Sequence, residues 1–267
     1  MTNSNATQDT RTKTFIITGG TSGIGLATAK RLAGLPEVRL VLAGRDAERG
    51  ATVARQLSDR DREARFVRTD VRVEEEVASL ISETIRLFGR IDAVFNNAGT
   101  EGTVGPMMSW SATDIDLTID TNVKGAFYVM KHAGRAMQEQ RAGVIVNCAS
   151  VLGLVPAPIA GPYAASKAAL LHLTRCAAAE LAEHDVKVVA VCPTVVDTPM
   201  MDRVSDRAGA PKQALADMVC PSRQLGSVET ISGYIVDVLE GSIALEPGAA
   251  LLLTETGTHA VTPALFQ

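Results

Sequence analysis

Short runs of Val, Ile and Leu alternate with amphipathic stretches along most of the chain. Because β-branched apolar runs favour strands and an apolar period of three to four residues favours helices, the pattern predicts alternating strands and helices. Seven strands are expected, at Lys13–Thr18, Arg39–Ala43, Glu63–Thr69, Ala93–Asn96, Gly143–Cys148, Val186–Val191 and Ala249–Leu253. Helices are expected at Ile24–Leu35, Arg45–Arg60, Val73–Phe88, Asp114–Gln138, Pro162–His184 and Val228–Leu239.

Continuous apolar strands separated by helices indicate a parallel sheet covered on both faces. With right-handed crossovers, the prediction is a single α/β domain over residues 13–267, a Rossmann-type doubly wound sheet of seven strands that binds ligands at their carboxyl ends. The polar residues 1–12 are expected to form a flexible leader. Residues 194–227, the longest irregular stretch, are typical of a substrate lid.

Composition excludes several classes of protein. The net charge of −4, without a basic run, argues against nucleic acid or an anionic membrane as partner. The sequence contains no stretch of eighteen apolar residues, so it predicts no membrane-spanning helix. The four cysteines are scattered, which argues against a metal site or a disulfide framework and favours a reducing, cytoplasmic location.

The segment Thr18-Gly19-Gly20-Thr21-Ser22-Gly23-Ile24-Gly25 joins the first strand to the first helix. Glycines allow a tight turn and a close approach of backbone to phosphate, and a helix N-terminus attracts anions. The sequence therefore predicts a dinucleotide site, with contacts from Gly19, Thr21, Ser22, Gly23, Ile24 and Gly25.

The second strand ends at Gly44 and is followed by Arg45. An acidic residue at this strand end typically binds the ribose 2′-hydroxyl of NAD, whereas an arginine nearby accommodates the 2′-phosphate of NADP. Glycine leaves room for that phosphate and the guanidinium offers two donors, so NADP is favoured. The alternative is NAD, with Arg45 facing solvent or pairing with Asp46.

Tyr163 has Lys167 four residues later and Ser150 thirteen residues earlier. On a helix the phenol and the ammonium share one face, where a cation and the nicotinamide charge are expected to lower the pKa of Tyr163. A phenol with a lowered pKa exchanges protons efficiently with a carbonyl oxygen. The Ser150 hydroxyl is expected to hydrogen-bond the substrate oxygen.

With Asn96-Asn97-Ala98-Gly99 and Asn122, these motifs resemble the short-chain dehydrogenase/reductase family between about Thr14 and Met200. The resemblance implies a catalytic tetrad of Asn122, Ser150, Tyr163 and Lys167, in which Asn122 holds a water and Lys167 binds the nicotinamide ribose. It also implies a homotetramer or homodimer. Further cofactor contacts are implied at Asp70, Val71, Asn97, Ala98, Gly99, Pro193, Val196 and Thr198, beside Tyr163 and Lys167.

Two features depart from the family pattern: Thr194 replaces the usual glycine after Pro193, and the chain lacks the usual Asp-Gly-Gly after its last predicted strand. The substrate wall is expected to be apolar, which favours a largely apolar ketone or alcohol. Its expected residues are Leu152, Leu154, Val155, Pro156, Met200, Met201, Val204, Leu215 and Met218. Nearby Arg203, Arg207 and Lys212 either meet an acidic substituent or lie in solvent.

The leading hypothesis is an NADP-dependent oxidoreductase that interconverts a ketone and a secondary alcohol. One alternative is an NAD-dependent dehydrogenase of a cyclic diol or sugar alcohol. A second alternative, from a different class, is a nonenzymatic nicotinamide-binding regulator.

Overall fold

The sheet has eight strands in the order 3-2-1-4-5-6-7-8, counted along the chain. The computed structural model describes residues 12–60 and 62–261, so the expected leader lies outside the described residues apart from Thr12. The strands are β1 (Lys13–Thr18), β2 (Val38–Gly44), β3 (Glu63–Arg68), β4 (Ala93–Asn96), β5 (Gly143–Cys148), β6 (Val186–Pro193), β7 (Ala250–Thr254) and β8 (Gly257–Val261).

Strands β1 to β7 pair in parallel, and β8 runs antiparallel to β7. The seven predicted strands are confirmed, whereas β8 is an addition. Its sequence, Gly-Thr-His-Ala-Val, has no apolar run, and His259 and Ala260 are exposed. This strand forms because a tight turn after β7 pairs Thr254 with Gly257 and brings the chain back alongside β7. Burial of its side chains does not account for it.

Nine helices flank the sheet in the described residues. They are α1 (Gly23–Ala33), α2 (Ala47–Leu57), α3 (Glu74–Phe88), α4 (Ala112–Ile119), α5 (Ala126–Gln140), α6 (Gly161–Leu181), α7 (Pro199–Ala208), α8 (Lys212–Val219) and α9 (Val228–Glu240). The predicted helix Asp114–Gln138 is two helices joined by a π-helical turn at Asp120–Gly125.

The segment 194–227 is more regular than the sequence suggests, because it contains α7 and α8. Proline stops a helix internally but is favourable at its start. Pro199 occupies the first turn of α7 behind the capping hydroxyl of Thr198, and Pro211 is the N-cap of α8. Prolines that suggest irregular structure in the sequence therefore mark helix starts.

Two apolar layers cover the sheet, one on each face. Side chains alternate along a strand, so Phe15 and Ile17 belong to one layer and Ile16 to the other. The first layer includes residues of α1, α2 and α9, and the second includes residues of α3, α5 and α6. The fold is thus a single-domain, Rossmann-type α/β sheet.

The order of strands reverses between β1 and β4, which are neighbours in the sheet. At such a switch point the loops leaving the two strands diverge and open a crevice at the carboxyl ends. Among the helices that the structure describes, none is both long and apolar enough to span a bilayer.

Candidate active site

One cavity of about 690 Å³ lies along the carboxyl ends of the strands. It brings together residues that are up to 200 positions apart, from Gly19 to Val219 (219 − 19). Every catalytic or cofactor-binding residue predicted from the sequence lines this cavity, with two exceptions, Gly25 and Asn122. Both exceptions lie directly behind residues that do line it, as described below.

The loop between β1 and α1 forms a cradle that only glycines can build. Gly19 and Gly23 have φ values of +64° and +51°, a region that side chains rarely enter. A Cβ at Gly25 would overlap the Gly19 carbonyl oxygen and the Asn97 amide. Within the described residues, the N-cap Ser22 makes no side-chain capping bond, so the first N–H groups of α1 remain available to an anion.

The end of β2 forms another part of the cavity wall. A Cβ at Gly44 would meet nothing closer than the Thr21 hydroxyl at 3.6 Å, so this position has room for a ligand. Arg45 is exposed at the cavity rim. Asp46 caps α2, its carboxylate accepting from the Arg49 N–H at 3.0 Å. The capping role explains this aspartate without a pairing to Arg45.

Asp70 lies next to this wall and is paired with Arg72, a partner that the sequence does not predict. Arg72 holds its carboxylate with both Nε and Nη2, and the backbone N–H of Arg72 donates to it at 3.1 Å. The side-chain hydrogen bond from Arg72 outweighs burial and lowers the pKa of Asp70. A local pair two residues apart has no periodic signal in the sequence.

The loop that follows β4 is tied to the glycine cradle by Asn97. Its side-chain amide donates to the carbonyls of Thr18 and Gly19 at 3.0 and 3.3 Å. The Thr18 hydroxyl accepts from the N–H groups of Asn97 and Ala98 at 2.9 and 3.0 Å. These bonds fix the two loops of the switch point relative to each other.

Ser150, Tyr163 and Lys167 meet in the cavity from two elements. Ser150 follows β5, and its hydroxyl accepts from the Leu152 N–H at 3.2 Å. Tyr163 and Lys167 lie in α6, with the Lys167 Nζ 5.7 Å from the centroid of the phenol ring. Lys167 is buried, and its Nζ donates to the Cys148 carbonyl at 2.8 Å. An ammonium has three donors, so this bond leaves capacity for a ligand.

The electrostatics of Tyr163 differ from the sequence-based expectation. Burial raises the pKa of the phenol, and the neighbouring Cys148 adds to the effect, while a hydrogen bond with Ser150 opposes it. Burial likewise lowers the pKa of Lys167. The expected acidification of Tyr163 by Lys167 is therefore wrong for the protein alone, because desolvation dominates both groups.

Asn122 lies in the π-helical turn and is buried behind the cavity. Its amide oxygen accepts from the Thr100 N–H at 2.8 Å, and its amide nitrogen donates to the Thr100 carbonyl at 2.9 Å. The same nitrogen donates to the Ser166 hydroxyl at 3.0 Å, which donates to the Tyr163 carbonyl at 2.7 Å. The Asn122 side chain thus links the loop after β4 to the helix that carries Tyr163.

The segment after β6 closes the cavity beside the cradle. Thr198 packs against Gly23, where an added Cβ would lie 3.5 Å from the Thr198 methyl group. The Thr198 hydroxyl donates to the Val196 carbonyl at 3.2 Å. Thr194 keeps the loop on the sheet through its N–H, which donates to the Leu253 carbonyl at 3.0 Å. The cradle, the open helix terminus and this wall fit an extended dinucleotide.

The remaining wall is mostly apolar. Of the nine apolar residues expected there, six line the cavity, namely Leu152, Met200, Met201, Val204, Leu215 and Met218. Leu154, Val155 and Pro156 do not line it, and the following segment, Ala157–Ala160, takes their place. Glu101, a buried carboxylate in the loop after β4, also lines the cavity, although no motif in the sequence points to it.

Comparisons with known proteins agree with this geometry. The family model described as short chain dehydrogenase matches residues 13–209. The chain is 38% identical over 195 residues to a 2,5-dichloro-2,5-cyclohexadiene-1,4-diol dehydrogenase of Sphingobium indicum, covering 73% of this chain and 76% of the relative.

Two solved structures share the fold over nearly the whole chain. An NAD+-bound xylitol dehydrogenase has a TM-score of 0.83 at 30% identity, covering 92% of this chain and 99% of its own. ElxO with NADP bound has a TM-score of 0.83 at 28% identity, covering 91% of this chain and 98% of its own.

The fold and the cavity define a nicotinamide-dependent oxidoreductase that acts on CH–OH groups. The chain belongs to the short-chain dehydrogenase family.

Proposed function

We propose that this protein interconverts a ketone and a secondary alcohol with NADP as its preferred cofactor. The observation that carries the proposal is that Ser150, Tyr163 and Lys167 meet in the same cavity as the glycine cradle. A proton-transfer group and a dinucleotide site are both needed for this reaction, and here they share one enclosure.

The nicotinamide ring, when bound, supplies the hydride to the carbonyl carbon or accepts it from the carbinol carbon. The Tyr163 hydroxyl gives its proton to the carbonyl oxygen in reduction and takes it back in oxidation. Ser150 donates a hydrogen bond to that oxygen and stabilises the charge that develops on it. Lys167 holds the nicotinamide ribose with the donors that Cys148 leaves free and returns the proton to Tyr163.

Asn122 acts as a positioning residue in this proposal. Both N–H donors of its side-chain amide are engaged, with Thr100 and Ser166, so a water that connects Lys167 to solvent would be held by the second lone pair of the amide oxygen or by main-chain groups. The π-helical turn around Asn122 alters the regular backbone hydrogen bonds and frees such groups.

NADP is favoured by the geometry at the end of β2. The open position at Gly44 and the exposed guanidinium of Arg45 suit a 2′-phosphate, and the nearby Asp46 carboxylate is engaged in capping α2. The alternative is an NAD-dependent dehydrogenase of a cyclic diol. The relative named as a cyclohexadiene-diol dehydrogenase and the NAD+-bound xylitol dehydrogenase favour that alternative.

The substrate that suits the cavity is a small alicyclic ketone or alcohol. The apolar residues of the wall favour a hydrocarbon ring, and the methionines adapt to its shape. The segment 194–227, with α7 and α8, acts as the lid that covers the ring, since Met200, Val204 and Leu215 from it line the cavity.

The test is turnover of a panel of cyclic and open-chain ketones and alcohols with NADP(H) and NAD(H), using wild type and Tyr163→Phe. Loss of the phenol hydroxyl should lower kcat by about 10²- to 10⁴-fold. Cofactor affinity, measured by quenching of nicotinamide fluorescence, should change little. A Tyr163→Phe protein that keeps full activity would reject the mechanism, and stronger activity with NAD than with NADP would select the alternative.

A further inference from the structure

In the described part of the chain, three acidic or basic residues are buried, namely Asp70, Glu101 and Lys167. All three line the same cavity. Asp70 lies at the adenosine side and Lys167 beside the phenol, so both have places in the proposed reaction. Glu101 has none, although burying a carboxylate costs several kcal/mol unless it is paired. A buried charge on the wall of an active site points to recognition of a ligand.

Glu101 is paired with the lid. The Nε and Nη2 atoms of Arg203, in α7, donate to its two carboxylate oxygens at 2.6 and 2.9 Å. Arg207, one turn further along α7, donates to the Gly102 carbonyl at 2.8 Å and lies 3.5 Å from Glu101. Burial tends to raise the pKa of Glu101, but the hydrogen bond from Arg203, a backbone hydrogen bond and the charges of the two arginines together outweigh it and lower the pKa, so the carboxyl stays ionised.

The position of this pair relative to the reaction centre is fixed by hydrogen bonds. Glu101 directly follows Thr100, whose N–H and carbonyl are both held by Asn122. Asn122 in turn binds Ser166, which binds the Tyr163 carbonyl. The chain of contacts from Thr100 to Tyr163 therefore holds Glu101 at a set distance from the phenol.

Arg203 has hydrogen-bonding capacity that the protein does not use. A guanidinium has five N–H donors, and within the described residues three are engaged, two with Glu101 and one with the Pro199 carbonyl. Arg203 is half exposed and lines the cavity, whereas Arg207 lies outside the lining. The two arginines and Glu101 leave a net charge of +1 (2 − 1) beside an otherwise mostly apolar wall.

We propose that Arg203, oriented by Glu101, binds a second oxygen of the substrate, one that accepts hydrogen bonds and lies away from the reacting carbon. The inference rests on the proposed function and narrows its substrate class to rings with two oxygen substituents. Carbonyl, hydroxyl and carboxylate oxygens all accept from a guanidinium. A hydroxyl can also donate to a remaining lone pair of the Glu101 carboxylate.

The alternative role for this ion pair is a latch that holds α7 closed over any substrate. The two roles differ in what they predict for substrates. A latch affects every substrate equally, because it acts on the closed lid. A recognition site affects only substrates that carry the second oxygen, because only those lose a hydrogen bond.

The experiment compares cyclohexanone with cyclohexane-1,4-dione in wild type, Arg203→Met and Arg203→Lys. Wild type should use the dione with a kcat/KM at least about tenfold higher. Arg203→Met should lower kcat/KM for the dione by about 10- to 100-fold and for cyclohexanone by less than about threefold. Arg203→Lys, which keeps a donor, should recover part of the loss. 4-Oxocyclohexanecarboxylate, as a third probe, distinguishes a preference for an anionic oxygen from one for a neutral oxygen.

The matched control is Lys212→Met. Lys212 pairs with Asp197 and Asp202 in the same lid but does not line the cavity, so its loss should change both ketones equally. Equal losses for the two ketones in Arg203→Met would overturn the inference and assign a latch.

Calorimetric binding of the two ketones to NADPH-loaded Tyr163→Phe protein separates this inference from the proposed function. In one outcome, wild type turns over neither ketone, while the Tyr163→Phe protein binds the dione at least about tenfold tighter than cyclohexanone and loses this preference when Arg203 is also replaced. In that case the proposed function is wrong and the inference about Arg203 holds. Equal affinities for the two ketones would contradict the inference, whether or not wild type turns them over.

Discussion

At the scale of single residues, the reaction centre buries a phenol and an ammonium, and burial disfavours the charged form of each. Burial raises the pKa of Tyr163 and lowers that of Lys167. The higher pKa keeps Tyr163 protonated before the cofactor arrives, and the lower pKa brings Lys167 nearer to releasing a proton. The protein alone therefore holds the phenol in its protonated form, and the positive charge of an oxidised nicotinamide would favour deprotonation of Tyr163.

Glu101 contributes to this balance, because its negative charge raises the pKa of Tyr163. Replacing it with the uncharged Glu101→Gln should therefore lower the pKa of the phenol. Alcohol oxidation needs the deprotonated phenol, so its rate rises with pH through that pKa. We expect the ascending, acidic limb of the pH profile of kcat/KM for alcohol oxidation to move to lower pH in Glu101→Gln.

The matched control is Glu74→Gln, which removes a carboxylate paired with Lys131 and His132. Glu74 is not among the charges that act on Tyr163, so its pH profile should coincide with that of wild type. A shift to higher pH in Glu101→Gln would contradict the assigned electrostatic effect.

At the scale of elements, the unpredicted hairpin of β7 and β8 holds the helix that follows the lid. Glu255, in its turn, accepts from the Ser227 N–H at 2.7 Å and from the Thr230 hydroxyl at 3.0 Å. Ser227 is the N-cap of α9, where its hydroxyl accepts from the Thr230 N–H at 3.2 Å. A carboxylate at a helix N-terminus also interacts favourably with the helix dipole. The hairpin therefore completes the cap of α9.

Replacing the carboxylate with Glu255→Ala should lower the free energy of unfolding by about 1 to 3 kcal/mol, since it removes charge-assisted hydrogen bonds to partly buried groups. Urea denaturation followed by circular dichroism measures the change. Glu246→Ala, at an exposed carboxylate of the same C-terminal region, serves as control and should stay within about 0.5 kcal/mol of wild type. Equal stability of the two variants would show that the turn does not support α9.

Elements that pack through apolar periodicity were predictable, and those defined by single contacts were not. The first seven strands follow from runs such as Phe15 to Ile17, which are buried on both faces of the sheet. The break between α4 and α5 has no such signal, because a π-helical turn adds one residue to a turn without changing which side chains are apolar. β8 depends on a turn and on pairing with β7.

At the scale of the whole molecule, the strand order decides where chemistry takes place. The loops after β1, β4, β5 and β6 all reach the same edge of the sheet, which is why residues far apart in sequence line one cavity. That gathering follows from the predicted parallel sheet. The pairing of Glu101 with Arg203 does not, because it joins the loop after β4 to α7, and no local pattern encodes their relative placement.

A cofactor that binds across the switch point contacts several of these loops together, so it should stabilise the whole fold and not one loop. A ligand at one hundred times its Kd adds about 2.7 kcal/mol to the free energy of unfolding. For a chain of this size that corresponds to a rise in Tm of about 5 to 10 °C. If Arg45 binds the 2′-phosphate, NADP should raise the Tm more than NAD at equal concentration, as measured by differential scanning fluorimetry.

Arg45→Ala should remove that difference between the two cofactors by weakening NADP alone. Arg65→Ala is the matched control, because Arg65 pairs with Glu63 at 2.8 Å on the neighbouring strand and lies outside the cavity. This variant should keep the difference. A larger shift with NAD than with NADP in wild type would mean that Arg45 faces solvent, and cofactor choice would then rest on the ribose hydroxyls and not on a phosphate.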